Sequence, residues 1–155
     1  MKEVIEGFYT AFQNKAAEKM GSFYHDDIEF TDPAFGYLKV EHAKNMWRML
    51  LIRSADLTLE FSDVHADGNK GQAHWDANYT VGRTGRKVLN KIDAEFTFKD
   101  GKSIRHIDTF DLHKWAKQAL GFKGMLLGGT SFFKRKLNGQ SNGMLVKFEN
   151  KVKNG

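Results

Sequence analysis

Residues 87–112 have the sequence KVLNKIDAEFTFKDGKSIRHIDTFDL, in which two runs of alternating apolar and polar residues flank a short polar break. Alternation with a period of two is typical of β-strands that bury one face. The runs cover 87–98 and 103–112, and Lys99-Asp100-Gly101 between them has the composition of a tight turn. We therefore predict an antiparallel hairpin at the centre of the fold.

Polar side chains fall on the apolar face of both strands. In the first strand, Asn90 has the same parity as the apolar residues. In the second strand, His106 and Asp108 have the parity of Ile104 and Phe110. A buried polar group needs a hydrogen-bond partner, so an inward polar side chain is a candidate for either a structural network or a functional site.

The face that these side chains occupy depends on the length of the turn. A three-residue turn would pair Phe98 with Lys102 and would put His106 opposite Ala94. A two-residue turn at Asp100-Gly101 would move every side chain of the second strand to the other face. We predict the three-residue turn, because it keeps the polar pair of the second strand among apolar neighbours.

The same patterns extend outward along the chain. Before the hairpin, the patterns predict two helices with a short strand between them, and then two longer strands. These elements are a helix at 2–23 broken near Gly21, a strand at 28–32, a loop at 34–40, a helix at 41–53 and strands at 56–66 and 71–81. After the hairpin, Asp111 has the position of an N-cap for a helix at 112–120, and a last amphipathic helix is predicted around Met144. Gly121, Gly124 and Gly128 lie at helical spacing, which favours close helix packing.

These elements predict an α+β fold, in which a cone-shaped, curved antiparallel sheet packs on the N-terminal helices and further helices follow at the C-terminus. We divide the chain into an α+β cone at 1–121 and a basic, Gly-rich helical extension of the same domain at 122–155. The length of 155 residues suits one domain.

Composition restricts the chemistry. The chain has no cysteine, which excludes disulfides and cysteine-based zinc sites. Acidic residues near Met1 and the lack of a long apolar run predict a cytoplasmic protein. The pairs His74-x-Asp76 and His65-x-Asp67 could contribute metal ligands, but no third ligand is evident. We predict no metal and no cofactor.

Positive charge is concentrated in the last quarter of the chain. Residues 114–155 have nine Lys or Arg and one acid, Glu149, whereas residues 1–113 have a net charge of −3. We interpret this segment as a solvated helix face and predict no nucleic-acid partner, because it has no base-reading motif. Contact of a membrane surface with Phe132, Phe133 and the adjoining Lys134-Arg135-Lys136 remains an alternative.

Three inward polar residues form the candidate catalytic set: Asp32, which ends the inward face of the short strand, His106 and Asp108. The ligand-binding candidates are mainly aromatic residues predicted to face inward, namely Tyr9, Phe12, Trp47, Trp75, Tyr79, Asn90 and Phe110. Two interpretations stay open for Asp32, which could accept backbone hydrogen bonds in the turn at Pro33. His106 could equally be a neutral core histidine.

Three stretches carry a resemblance to a known group of proteins. They are YHDDIEFTDP at 24–33, FKDGK at 98–102 followed by HIDTFD at 106–111, and WAKQALG at 115–121 followed by GMLLG at 124–128. The chain resembles a bacterial branch of the nuclear transport factor 2-like superfamily, which includes ketosteroid isomerase, the SnoaL-like polyketide cyclases and limonene-epoxide hydrolase. The resemblance implies the cone fold and a homodimer, and it covers nearly the whole chain.

The resemblance implies roles for only some residues. Asp32 corresponds to the proton-shuttling carboxylate of ketosteroid isomerase, but Phe8 stands where that enzyme has a tyrosine donor, and Asp93, the nearest match to its second acid, is predicted to face outward. Asp108 corresponds to an acid of limonene-epoxide hydrolase and of the cyclases. The hydrolase also needs an Arg-x-Asp sequence on the third strand, and the predicted strand at 71–81 has His74-x-Asp76 there instead.

Two hypotheses for function follow. In the first, the protein is an isomerase, cyclase or hydrolase that uses pocket carboxylates for proton transfer on a hydrophobic small molecule. In the second, it is a non-catalytic module of the same fold that binds a ligand or a protein partner.

Overall fold

Six β-strands form one sheet in the computed structural model, which describes residues 1–154 of the chain. They are β1 (Tyr24–Asp32), β2 (Gly36–Lys39), β3 (Thr58–Asp67), β4 (Lys70–Thr80), β5 (Lys87–Lys99) and β6 (Lys102–Thr109). Their spatial order is β2-β1-β6-β5-β4-β3. Neighbouring strands are antiparallel except for β1 and β6, which pair in parallel. The predicted α+β fold with a curved, open sheet is confirmed.

Six helices accompany the sheet in the described part of the chain: α1 (Lys2–Gln13), α2 (Ala17–Ser22), α3 (Glu41–Arg53), α4 (Leu112–Leu120), α5 (Phe122–Leu127) and α6 (Ser131–Asn154). The bounds of α3 and α4 agree with the sequence pattern. Asp111 caps α4, since its Oδ1 accepts a hydrogen bond of 3.0 Å from the Lys114 amide. Within residues 1–154, none of the helices has both the length and the apolar character needed to cross a bilayer.

The first helical pattern breaks earlier than its glycine suggested. The chain leaves the helix at Asn14 and Lys15 rather than near Gly21, so the predicted helix at 2–23 is two helices. Lys15 has a left-handed backbone with φ of 60°. Its ammonium group donates hydrogen bonds to the carbonyls of Ser54 and Leu57, which stabilise this break.

Residues 34–40 do not form the predicted loop throughout. Gly36–Lys39 form the edge strand β2, which pairs antiparallel with the end of β1. The strand β1 also begins at Tyr24, four residues before the predicted start at Ile28. This extension matters because it brings Tyr24 into the interior of the cone.

The core lies between the concave face of the sheet and the helices α1 and α3. In β5 every second residue from Val88 to Phe98 is buried, including Asn90, as the alternation predicted. The helices contribute mainly aromatic side chains, among which Phe8, Phe12 and Trp47 are buried. Aromatic rings bury large areas each, so this cluster contributes strongly to the apolar burial that stabilises the fold.

The turn between β5 and β6 has two residues, so the predicted three-residue turn is wrong. Lys99 pairs with Lys102, and Asp100 and Gly101 both have positive φ, at 52° and 76°. This is the backbone that two-residue hairpins prefer, and a glycine adopts it without strain.

A β-bulge in β6 compensates for the shorter turn, which by itself would place His106 and Asp108 on the outer face of the sheet. The pairing is Phe98 with Ser103 and then Thr97 with Arg105, so Ile104 is an extra residue in β6. After the bulge His106 lies opposite Phe96, not opposite Ala94 as predicted. The bulge thus returns His106 and the residues after it to the inner face.

Candidate functional site

A cavity of about 1320 Å³ lies between the inner face of the sheet and the helices. Its walls come from the concave face of the sheet and from α3, and α4, α5 and α6 surround its mouth. The predicted residues that line it are Phe12, Asp32, Trp47, Trp75, Tyr79, Asn90, Asp108 and Phe110. Most of the remaining wall is aliphatic or aromatic, which is typical of a small-molecule site.

The floor of the cavity is organised around His106, whose side chain is fully buried behind the wall. His106 Nε2 lies 2.8 Å from Asp108 Oδ1, and His106 Nδ1 lies 2.8 Å from the Tyr24 hydroxyl. The Trp47 indole Nε1 donates a hydrogen bond of 2.9 Å to the same hydroxyl oxygen. Four side chains from α3, β1 and β6 therefore form one continuous network.

The direction of this network follows from its end groups. An indole N–H can only donate, so the Tyr24 oxygen accepts from Trp47 and its own proton is directed to His106 Nδ1. Burial raises the pKa of the Tyr24 hydroxyl well above its ordinary value, which keeps that proton in place. Because Nδ1 accepts from Tyr24, the Nε2–H of His106 donates a hydrogen bond to Asp108 Oδ1.

Aromatic rings fix the imidazole in this orientation. The His106 ring stacks on Phe96 with ring centroids 4.4 Å apart, and it meets the edges of Phe30 and Phe8 at 5.1 and 5.5 Å. An apolar surround of this kind excludes water from the imidazole, so its two hydrogen bonds within the protein are the ones that satisfy its ring nitrogens. His106 thus has the environment of a satisfied core histidine and also the geometry of a residue that positions Asp108.

Asp108 is the point where the buried network meets the cavity. Its residue is 4% exposed, and its Oδ1 accepts from His106 and, at 3.5 Å, from the Trp75 indole Nε1. No hydrogen bond within residues 1–154 uses Oδ2 of this carboxylate. The second oxygen is the one that a ligand can reach.

Asp32 supplies a second carboxylate to the same cavity. Its Oδ1 accepts hydrogen bonds from the backbone amides of Ala34, at 3.0 Å, and Phe35, at 2.6 Å. Burial, followed by the charge of Asp108, raises its pKa to about 7, although the amide donor of Phe35 opposes this rise. Asp32 is therefore both the acceptor of a turn, as one interpretation held, and a group that titrates near neutral pH.

Two further polar groups face the cavity. Asn90 is buried in the wall opposite Ala77, and no hydrogen bond within residues 1–154 uses its side-chain amide. The Tyr79 hydroxyl accepts a hydrogen bond of 2.6 Å from Trp115 Nε1 and keeps its own proton for another acceptor. Burial raises the pKa of Tyr79, so this hydroxyl remains a donor.

Tyr9, a predicted ligand-binding residue, lies in the core rather than in the cavity wall. Its ring stacks on Phe61 at 5.5 Å and meets Phe8 edge-on at 5.2 Å. Its hydroxyl is buried without a hydrogen-bond partner among residues 1–154. Burial, together with the charge of Asp108, raises its pKa well above the ordinary value, so Tyr9 is a neutral phenol.

The sequence did not indicate the part of the wall that α6 contributes. Asn138 Nδ2 donates to the carbonyls of Pro33 and Ala34, and Asn142 Nδ2 donates to that of Phe35. These bonds attach α6 to the loop that holds Asp32, and they place Phe132, Phe133, Leu137 and Met144 against the cavity. A helix was predicted around Met144, but not its attachment; the signal that could have indicated the attached face is the pair of asparagines at a spacing of four residues, which lie on one helix face.

The outward His-x-Asp pairs are not part of the cavity. His74 Nε2 lies 2.8 Å from Asp76 Oδ1, and His74 Nδ1 lies 2.8 Å from Asp93 Oδ1. Both ring nitrogens are thus occupied, and the pKa of His74 is raised, first by the hydrogen bond to Asp93. Asp93 faces outward, as its parity predicted.

Comparison with known proteins agrees with this architecture. The sequence profile of a family described as SnoaL-like domain matches residues 5–106. No curated protein sequence matches the chain.

Solved structures with the same fold have low sequence identity to the chain. One is TerC co-crystallised with polyporic acid, at 22% identity and a TM-score of 0.60, covering 70% of this chain and 89% of TerC. Another is a protein with a ketosteroid isomerase-like fold from Catenulispora acidiphila in complex with trimethylamine, at 10% identity and a TM-score of 0.67, covering 76% and 92% of the two chains. A third is an LEH-like epoxide hydrolase from M. tuberculosis, at 20% identity and a TM-score of 0.60, covering 81% and 89%.

Proposed function

Because this chain belongs to the SnoaL-like domain family, we propose that it binds an apolar small molecule in its cavity and moves a proton on that molecule through Asp108 and Asp32. The family and its fold host several reaction types, so the reaction must be argued from the site. The observation that carries the proposal is a pair of carboxylates in one apolar cavity, each with one oxygen held by the protein.

Asp108 is the general base in this proposal. Its Oδ1 is held by His106, which leaves Oδ2 of this cavity-lining residue to accept a proton from an acidic C–H or from a water molecule. His106 does not touch the ligand; it positions the carboxylate and balances the change in its charge. Tyr24 and Trp47 hold the imidazole in the tautomer that this role requires.

Asp32 is the general acid. A pKa of about 7 lets this carboxyl group carry a proton at neutral pH and release it to a developing oxyanion or carbanion. In an isomerisation or cyclisation the ligand loses a proton to Asp108 and gains one from Asp32. In a hydrolysis the attacking water gives its proton to Asp108, and the leaving epoxide oxygen takes one from Asp32. The two groups then exchange protons with solvent to return to their starting states. Asn90 and Tyr79 supply hydrogen-bond donors for the negative charge that develops between these steps.

This chemistry suits an apolar carbonyl, enol or epoxide compound, on which the protein would act as an isomerase, cyclase or hydrolase. Support comes from the low polarity of the wall and from the small molecules bound in TerC and in the Catenulispora acidiphila protein. The epoxide hydrolase with the same fold adds support for hydrolysis as one of these reactions. A homodimer and a cytoplasmic location stay predictions, and light scattering tests the first of them.

The experiment that tests the proposal is a ligand screen by thermal shift with three proteins. Wild type, Asp108→Asn and Asp32→Asn are mixed with phenols, enols and epoxides, and each compound that shifts the melting temperature is then assayed for turnover. A ligand at a hundred times its dissociation constant should stabilise the protein by about 2.7 kcal/mol, which raises the melting temperature by several degrees. Asp26→Asn, an exposed acid on β1, is the matched control.

We expect both cavity variants to bind ligand and to lose at least about a hundredfold in kcat, while the control keeps its rate. Ligand binding without any turnover that depends on these carboxylates would favour the non-catalytic module. An absence of binding, with the Asn variants only less stable, would show that both acids are structural.

A further inference from the structure

Five basic side chains line the outer part of the cavity: Arg53, Arg83, Lys123, Lys136 and Lys147. We call this set the basic rim. Its members come from the end of α3, the turn between β4 and β5, α5 and two positions of α6. All five residues are exposed, in contrast to the buried carboxylate of Asp108.

The basic rim is not neutralised by the protein. No ion pair within residues 1–154 includes any of its five members. The described residues that line the cavity include two acids, Asp32 and Asp108, and both lie inward of the rim. A solvated surface normally mixes both signs of charge, so a mouth with cations alone attracts anions.

Charge and polarity therefore change in a fixed order along the cavity. The rim is cationic, the middle of the wall is apolar, and the floor has the carboxylate of Asp108. A ligand that satisfies all three zones has an apolar body and one anionic end. The anionic end would lie at the rim, because the floor repels negative charge and the rim attracts it.

We propose that the ligand is an amphipathic organic anion, with a carboxylate or a comparable acidic group bound at the basic rim and its apolar, reacting end directed to Asp108. The assignment of the reacting end rests on the proposed function, whereas the assignment of the anionic end rests on the rim alone. Electrostatic attraction at the mouth also orients the anionic ligand as it enters the cavity. A neutral compound of the same shape would not be oriented in this way.

The test uses two fluorescent probes that share one body and differ in charge. They are 1-anilinonaphthalene-8-sulfonate, which is anionic, and N-phenyl-1-naphthylamine, which is neutral. All three tryptophans of the chain line the cavity, so quenching of tryptophan emission reports that a probe is bound there. Titrations are run at low salt and at about 1 M NaCl, where the Debye length falls to about 3 Å.

We expect the anionic probe to bind about tenfold more tightly than the neutral one at low salt, and we expect this preference to disappear at high salt. The double variant Lys136→Gln/Lys147→Gln should weaken the anionic probe about tenfold and leave the neutral probe unchanged. Lys151→Gln/Lys153→Gln removes the same charge from exposed positions of the same helix outside the cavity lining and should change neither affinity.

Equal affinity for the two probes, with tryptophan quenching by both, would overturn the proposal that the ligand is an anion. It would leave the ligand-binding cavity of the proposed function intact. An equal effect of the two lysine pairs would also overturn it, because net charge alone would then explain the preference. Phe122, which is 69% exposed outside the lining, provides a last check. Loss of probe binding in Phe122→Ser would assign the probe to the surface and would overturn the proposal.

Discussion

Tyr24 and His106 are 82 residues apart in the sequence, yet the Tyr24 hydroxyl lies 2.8 Å from His106 Nδ1 in the interior of the cone. The parallel pairing of β1 with β6 brings the two strands together, and Trp47 completes the contact from α3. The hydroxyl is thus both an acceptor for one ring and a donor to the other. A buried group with two such partners affects stability and site geometry together.

Replacement of Tyr24 by Phe should lower the free energy of unfolding by about 3 kcal/mol, since it leaves the indole N–H of Trp47 and Nδ1 of His106 buried without partners. Urea denaturation measures this change. Tyr37→Phe is the matched control, because Tyr37 is 53% exposed and its hydroxyl bonds within residues 1–154 only to the carboxylate of half-buried Glu29. The control should stay within about 0.5 kcal/mol of wild type, and a similar loss in both variants would contradict the network.

The stability contributed by Asp32 should decrease as the pH rises. The folded-state pKa of this carboxyl is about 7, above the ordinary value of 3.8, so folding takes up a proton between these two values. The contribution of Asp32 to the free energy of unfolding is fully present below about pH 4 and is lost as the pH rises through 7. The difference in unfolding free energy between wild type and Asp32→Asn should therefore fall by on the order of 3 kcal/mol from pH 4 to pH 8.

The same titrations in an Asp108→Asn background supply the control for this prediction. The charge of Asp108 is one cause of the raised pKa of Asp32, so its removal should move the fall in stability to lower pH. A difference between wild type and Asp32→Asn that does not change with pH would show that Asp32 is ionised throughout the range.

The attachment of α6 should depend on Asn138. Asn138→Ala removes two hydrogen bonds to the carbonyls of Pro33 and Ala34, and α6 should then open more often. We expect amide hydrogen exchange within 131–142 to become about tenfold faster. Asn150→Ala, at an exposed position of the same helix, should leave the exchange rates unchanged. Equal rates in the two variants would show that apolar contacts alone hold the helix.

Two glycines of the C-terminal helices should respond to alanine in opposite directions. A Cβ at Gly124 would lie 1.9 Å from the carbonyl oxygen of Ala116, so Gly124→Ala must push α5 away from α4 and should destabilise the protein by at least about 2 kcal/mol. A Cβ at Gly139 would have no atom within 4 Å. Gly139→Ala should thus stabilise α6 by up to about 1 kcal/mol, as thermal unfolding would show. Similar melting temperatures for both variants would contradict the close approach of α4 and α5.

Strand parity predicted much of the candidate site. Asn90 was identified as inward because a period of two is a local property of each strand. The inward face of His106 and Asp108 was predicted through a three-residue turn, and the structure reaches the same face by a two-residue turn and a bulge. Tyr24 was missed as a member of the site, although it shares its parity with Ile28 and Phe30. The predicted strand began too late, and a parallel partner in β6 cannot be inferred from the order of short turns.

The sequence pattern was less informative at the C-terminus. The helix α6 contains Gly139 and Gly143 and has a weak apolar stripe, so helical propensity and periodicity give little indication of its extent. It is attached by hydrogen bonds to the carbonyls of Pro33, Ala34 and Phe35, which are about a hundred residues distant. Contacts of such long range position the residues of α6 that line the cavity, and a local sequence pattern does not predict them.

The two-residue turn and the bulge at Ile104 also restrict how this hairpin can change during evolution. Each of them alone reverses the orientation of the side chains that follow, and together they cancel. Loss of Ile104 by itself would direct His106 to solvent, and so would the gain of one residue in the turn. The two length changes made together would return His106 to the inner face. Each change is therefore harmful alone and tolerated in combination. Such reciprocal sign epistasis is a consequence of the strand register.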